Sequence, residues 1–264
     1  MMRALWTAST GMMAQQLNVD TISNNIANVN SIGYKKTRIE FKDLLYETME
    51  RGMVKDGQGK PVNLQVGHGV KVSATTKFFT QGNLDMTSNP YDLAIDGPGF
   101  FTIVGPNDEQ MYTKDGSFKI SVDGENMKLV TAEGYFVQGT NGDIDLGSNV
   151  KDVIIDESGL ITVRRTDDTL EEIGSLSIAT FVNPAGLESV GKNLYKTSLA
   201  SGEAFDTAED GSGGGVLQGY LESSNVQVVE EMVKLIQAQR AYEINSKSIQ
   251  TADEMLGMAN SLRR

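Results

Sequence analysis

Carboxylates are the main groups with which this sequence could do chemistry. It carries 35 Asp and Glu residues, one histidine (His68) and no cysteine. The missing thiols exclude cysteine catalysis, disulfides and cysteine-based zinc sites. A single imidazole also removes the usual residue from most general-base and metal schemes. Two carboxylates could hydrolyse a glycosidic bond, but no pair stands out from the rest. Asp143-Ile144-Asp145 and the run Asp206 to Asp210 are dense enough for calcium. Neither continues into the glycine turn and closing glutamate of an EF-hand loop, so both read as solvated turns. No phosphate-loop or dinucleotide fingerprint follows a strand and opens a helix. His68, between Gly67 and Gly69, reads as a turn or a strand start. The expectation is a chain that is not an enzyme, with no catalytic residue, no metal and no cofactor.

Bulk charge narrows the partners. A formal net charge of -12 disfavours nucleic acid and anionic membrane surfaces, both of which attract concentrated Lys and Arg. No apolar run approaches the ~18 residues of a membrane span. Thr7, Ser9 and Gly11 break the N-terminal region before the apolar core of a cleaved secretory signal could form. On these physical grounds alone the chain would be placed in the cytoplasm.

The elements that must position any site divide by proline. All five prolines lie between Pro61 and Pro184, leaving both ends free of this helix breaker. At the N-terminus one seven-residue ladder runs Leu5, Met12, Val19, Ile26, and another runs Met1, Ala8, Gln15, Ile22, Val29. This is the a/d pattern of a coiled-coil seam, and it predicts a helix fraying at Asn28 to Gly33. The C-terminus repeats the pattern with Val228, Leu235, Tyr242, Ile249 and Leu256, while Glu231 and Asn245 break its second row. A helix is predicted from about Asn225 to Leu262, with Ser223, Ser224 or Asn225 as its N-cap.

Only Arg3 and Asp20 are charged among the first 34 residues, against about seven for average composition. A helix with one face in water normally carries charge there, so this one is expected to be packed on several sides, by its partner helix and by neighbouring subunits. The middle alternates short β-rich segments (Val70 to Thr75, Leu93 to Ile95, Phe100 to Val104, Val153 to Ile155, Leu160 to Val163) with turn signals such as Asp96-Gly97-Pro98-Gly99 and Lys114-Asp115-Gly116. The fold class predicted is α + β, with long terminal helices pairing as a coiled coil around an inserted all-β domain. The divisions are 1-35 helical, 36-75 an extended connector, 76-222 β-rich and 223-264 helical. The seam residues Leu5, Met12, Val19, Ile22, Ile26, Val29, Val228, Leu235, Tyr242, Ile249 and Leu256 are the expected assembly interface. Read from these residues alone, a monomeric β-domain carbohydrate-binding protein or glycosidase with a helical hairpin stays open as a different class.

The stretch Ser23-Asn24-Asn25-Ile26-Ala27-Asn28-Val29-Asn30-Ser31-Ile32-Gly33-Tyr34-Lys35-Lys36 resembles the signature of the flagellar rod and hook axial proteins. Within it Ser23, Asn24, Asn25, Ala27, Asn28, Asn30, Gly33 and Tyr34 carry the match. The resemblance continues through Asp92 to Phe101, Tyr112 to Phe118, Gly186 to Tyr195, Tyr220 to Val226 and Gln239 to Lys247. Length, the opening Arg3-Ala4-Leu5-Trp6 and the Gly186 to Tyr195 segment look most like the distal-rod branch. Another rod subunit or a hook subunit is the alternative within the family. Thr48 to Gln65 resembles the segment that stiffens rod relative to hook, although its residues depart from that segment's usual form. The resemblance implies a self-assembling hollow helical drive shaft that crosses the periplasm and carries motor torque to the hook. It also implies export through the flagellar type III apparatus without a cleaved signal. Other copies, proximal rod proteins, hook-side proteins and the P and L ring proteins are the implied neighbours.

Overall fold

The computed structural model describes residues 2–50, 54–55, 58–59, 63–105, 108–123, 126–140, 142–148, 150–206 and 214–261. The chain divides into two units: Met1–Ala27, Thr37–Lys77 and Gln227–Arg264 form one, and Asn28–Lys36 with Phe78–Val226 form the other.

The first unit holds the two long helices, α1 (Met2–Ala27) and α2 (Val228–Ser261), which pack on each other. α1 ends at Ala27, at the edge of the Asn- and Gly-rich stretch where fraying is expected. α2 begins three residues later than predicted, because the candidate caps are engaged elsewhere. Ser224 Oγ accepts from the Val226 N–H at 3.3 Å, and the Asn225 side chain accepts the Lys36 N–H at 2.8 Å while donating to the Phe78 carbonyl at 2.8 Å. Residues 36–75, read from sequence as an extended connector, contain strands that pair among themselves. Thr37–Asp43 runs antiparallel to Val70–Lys77, from Thr37 opposite Lys77 to Asp43 opposite Val70, with a bulge at Glu40/Phe41. Tyr46–Glu50 pairs antiparallel with Leu64–Gly67. These residues fall in the helical unit because the first of these strand pairs lies against α1, where it buries Ile39. His68 sits in the turn between Leu64–Gly67 and Val70–Lys77. Much of the candidate stiffening segment 48-65 lies outside the described residues.

The second unit is built mainly of β-strands. Its main sheet runs in the order Lys119–Asp123, Asn126–Val130, Phe136–Gly139, Phe100–Val104, Gln110–Thr113, Leu194–Lys196, Glu188–Gly191. Three further strands, Val150–Ile155, Leu160–Arg165 and Leu170–Ser175, form an antiparallel meander. The pairs Val153/Ile155 and Ile161/Val163 are buried at alternate positions, the period of two of a sheet with one face inward. Adjacent Phe100 and Phe101 show the same rule. Phe101 enters the main core and meets Phe118 edge-on at 5.1 Å, whereas Phe100 points to the other face and joins Phe79, Phe181 and Tyr195 in an aromatic cluster.

Candidate assembly site and the signature cluster

One buried polar contact and one close approach at a glycine set the geometry of the helix pair. Asn25, 2% exposed, donates through Nδ2 to Glu231 Oε2 at 3.2 Å; Glu231, itself 3% exposed, also accepts from Lys234 at 2.6 Å. Fourteen residues earlier in α1, Gly11 faces Asn245, fourteen residues later in α2: a Cβ on Gly11 would lie 2.8 Å from Asn245 Nδ2. Position numbers rise along one helix as they fall along the other, so the helices are antiparallel. Glu231 and Asn245 therefore do not interrupt the seam. They occupy it, with an amide partner for one and a side-chain-free glycine for the other. Buried polar pairs of this kind fix register, because any slip strands a polar group against an apolar one.

Asn25 does a second job. Its Oδ1 accepts the Thr37 N–H at 3.0 Å and its Nδ2 donates to the Thr37 carbonyl at 2.8 Å, copying the two-way bond of a sheet pair.

The seam residues named from sequence are mostly covered inside this single chain. Ile22 is buried; Leu5, Met12, Val19, Ile26, Val29, Leu235, Ile249 and Leu256 are half-buried; Val228 and Tyr242 are exposed. The most exposed large apolar side chains are different ones. On α1 they are Met2 (78% exposed), Trp6 (68%), Met13 (67%) and Leu17 (47%), and on α2 they include Val229 (76%), Met232 (52%), Val233 (49%) and Ile236 (51%). Val229, Met232, Val233 and Ile236 follow the i, i+3, i+4, i+7 spacing of one helical face. Sequence reasoning missed Val229, Val233 and Ile236 because the heptad rows carried the stronger periodicity. The shortage of charge in α1 was the available signal.

At the start of α1 a cavity of about 330 Å³ is lined by Met2, Arg3, Trp6, Thr7, Gly67 and His68. Arg3 is hydrogen-bonded and ion-paired to Glu47, and His68 Nε2 stands 3.9 Å from the same carboxylate.

In the β unit the motifs quoted from the sequence converge on segment 28–36. Lys35, fully buried, donates to the Thr80 carbonyl at 2.9 Å and to Glu222 Oε1 at 2.5 Å; Glu222, 1% exposed, also accepts the Gly82 N–H at 2.8 Å. Lys114, 4% exposed, donates to the Gly97 carbonyl at 2.9 Å and stands 3.8 Å from Glu222 Oε2, beyond hydrogen-bond range but well within coulombic reach. Burial lowers the Lys114 pKa to about 8; Glu222 resists that shift and Lys35 adds to it. Burial also pushes Asp115 upward, partly offset by its bonds from Ser117. Asn193 donates to the Ile32 carbonyl at 2.8 Å, and the Gly33 N–H donates to the Glu222 carbonyl at 2.8 Å.

Gly33 and Asn25 are the buried members of the signature. Gly33 has φ +66°, and a Cβ there would lie 2.7 Å from the Asp115 backbone nitrogen. Asn28 and Tyr34 are half-buried, while Ser23, Asn24, Ala27 and Asn30 face solvent. Among the described residues no group of His, Asp and Glu could hold a metal, and no helix is long and apolar enough to cross a membrane. This arrangement holds backbone and helices in place.

Three family profiles match the chain. They are flagella basal body rod protein over residues 5–35, flagellar hook protein FlgE/F/G D1 domain over 94–163, and flagellar basal body rod FlgEFG protein C-terminal over 217–262. A flagellar basal-body rod protein FlgG of Borreliella burgdorferi is 47% identical, covering 100% of both chains. The chain belongs to the flagellar basal-body rod protein family. Further rod-protein relatives include FlgG of Caulobacter vibrioides, 45% identical over 99% of this chain and 100% of its own, and FlgG of Bacillus subtilis, 36% identical over 100% of both. As a member of the rod family the chain is a structural subunit of the flagellar basal body. The β-unit profile spans Lys114 and the sheet core, and the two terminal profiles span Asn25 and Glu231.

Proposed function

We propose that the chain builds the distal rod, a hollow, straight helical shaft made of its own copies that transmits torque across the periplasm to the hook. The observation that carries this reading is the open apolar surface of the helix pair, from Met2, Trp6 and Met13 on α1 to Val229 and Met232 on α2. A lone subunit gains nothing by leaving such faces in water, whereas neighbouring copies would cover them. Pairing of α1 and α2 as a two-stranded antiparallel coiled coil fits the equal fourteen-residue steps between Gly11/Asn245 and Asn25/Glu231, two heptads on each helix. In this reading the seam residues hold the helix pair together, and the exposed faces make the contacts between subunits. In this reading 1-35, 36-75 and 223-264 supply the helical part of the shaft and 76-222 supplies its β part. Proximal rod and hook-side proteins adjoin the shaft at its ends, the P and L rings surround it, and subunits arrive through the type III export apparatus without a cleaved signal.

The test is sedimentation of the purified full chain against concentration, with electron microscopy of the large species, beside the double variant Met13→Glu/Val233→Glu. Straight tubes from the wild type, and a monomer of unchanged helicity from the variant, are expected. A wild-type chain that stays monomeric at every concentration, in cells that build rods without it, overturns the proposal.

A further inference from the structure

Self-assembly in one direction requires two different, complementary patches on the same chain, because a head-to-tail contact never places a patch against itself. The helical unit carries such a pair. One patch is concave: the cavity of about 330 Å³ at the first turns of α1, with Trp6 and Met2 as apolar walls and Arg3 and His68 at its edge. The other is convex: Val229, Met232, Val233 and Ile236 on the first turns of α2, with exposed Glu230 among them. The antiparallel pairing puts these patches at opposite ends of the helix pair. Gly11 lies opposite Asn245 and Asn25 opposite Glu231, so the register places Thr7 near residue 249, about 30 Å of helix from Val229. Within one chain they cannot meet.

Resting on the assembly reading above, we propose that the cavity receives the Val229–Met232–Val233 knob of a second copy, stacking subunits head to tail along the helix axis. Size, polarity and charge agree. The cavity has room for two large aliphatic side chains, its walls are apolar, and the Arg3 guanidinium offers a cationic donor to Glu230. Arg3 is 51% exposed even while paired with Glu47, which leaves guanidinium N–H groups for a second carboxylate.

The absence of cysteine makes the test clean. The full-length double variant Thr7→Cys/Val229→Cys, each copy carrying both halves of the contact, replaces the native rod subunit in flagellated cells. Mild oxidation then precedes a non-reducing gel. A ladder of covalent oligomers is expected, since each contact uses one cysteine from each copy and leaves the others for the next. The control Thr7→Cys/Ile244→Cys, with Ile244 66% exposed on the same helix, is expected to give none. A dimer without a ladder means a symmetric contact and overturns the proposal, as does a ladder from the control alone. Rods visible by electron microscopy without any ladder overturn this contact but leave the assembly reading standing. Absence of rods even with the unmodified chain overturns the assembly reading itself. Trp6, the sole tryptophan and 68% exposed, supplies an independent readout. Its emission is expected to shift to the blue on assembly of the wild type, and an unchanged spectrum in assembled rods counts against occupation of the cavity.

Discussion

Glu222→Gln keeps the shape of the side chain and removes its charge from between two buried lysines. In the wild type one carboxylate faces Lys35 at 2.5 Å and Lys114 at 3.8 Å, with all three side chains no more than 4% exposed. After the substitution two buried ammonium groups have no counter-charge, a loss of about 3–5 kcal/mol for a broken buried pair. With a urea m-value of about 2 kcal/mol/M, the unfolding midpoint of the β unit falls by roughly 1.5–2.5 M. Near-UV circular dichroism follows this unit selectively, because the Tyr112 and Tyr195 rings lie in its aromatic cluster. Lys114→Met is the contrasting change. It leaves Lys35 and Glu222 as a one-to-one pair and removes a charge that burial already disfavours, so its cost is about 1 kcal/mol, from the lost bond to Gly97.

The pH dependence separates the two further. Lys114 titrates at about 8 in the folded chain and at 10.5 unfolded, so between those values the unfolded state binds more protons. Its destabilising contribution is therefore complete below pH 8 and is relieved as pH rises toward 10.5, by up to about 3 kcal/mol. Wild type should gain stability over Lys114→Met across that window. A Glu222→Gln cost under about 1 kcal/mol, or a wild-type advantage flat from pH 8 to 10, refutes the account.

Asn25→Ala strands the Thr37 N–H and removes a donor from buried Glu231, for a loss of about 2–3 kcal/mol. Hydrogen exchange should report it first as faster exchange of the Thr37 amide, and unchanged protection there would count against the staple. Gly11→Ala brings a methyl to 2.8 Å from Asn245 Nδ2 and should lower the melting temperature of the helix pair by several degrees. Combining it with Asn245→Ala should recover most of that loss, with a coupling of about 1 kcal/mol or more in a double-mutant cycle, and simple additivity would show that the two positions do not face each other.

The helices were legible because their signal is local: absent proline, heptad spacing and a shortage of charge all lie within one segment. The alternating strands and their Asp-Gly turns were legible for the same reason. Glu231 and Asn245 were not, since a polar residue on a seam looks like a fault until its partner is known. The partners, Asn25 and Gly11, lie more than 200 residues away in sequence. The Lys35, Lys114 and Glu222 cluster was hidden in a similar way. Each residue stood in a motif quoted from the sequence, yet nothing in one dimension says that three motifs share a buried point. Val70 to Thr75 was legible as a β-rich segment, but its pairing with Thr37–Asp43 was not, because the glycine-rich stretch Gly52 to Gly69 separates the two strands in sequence. The apolar face of Val229, Val233 and Ile236 escaped because a solvent-exposed and a buried residue have the same letter.

The bond from Asn25 to Glu231 joins residues 206 positions apart. Closing so long a loop is slow compared with making local hairpins. A chain that emerges N-terminus first can complete its β unit while α1 still waits for its other half. The sticky helical surface is then assembled last, by the arrival of the segment after residue 227. Truncated or stalled chains lack α2 and so cannot present the paired face; under the assembly proposed above, only finished subunits could then join.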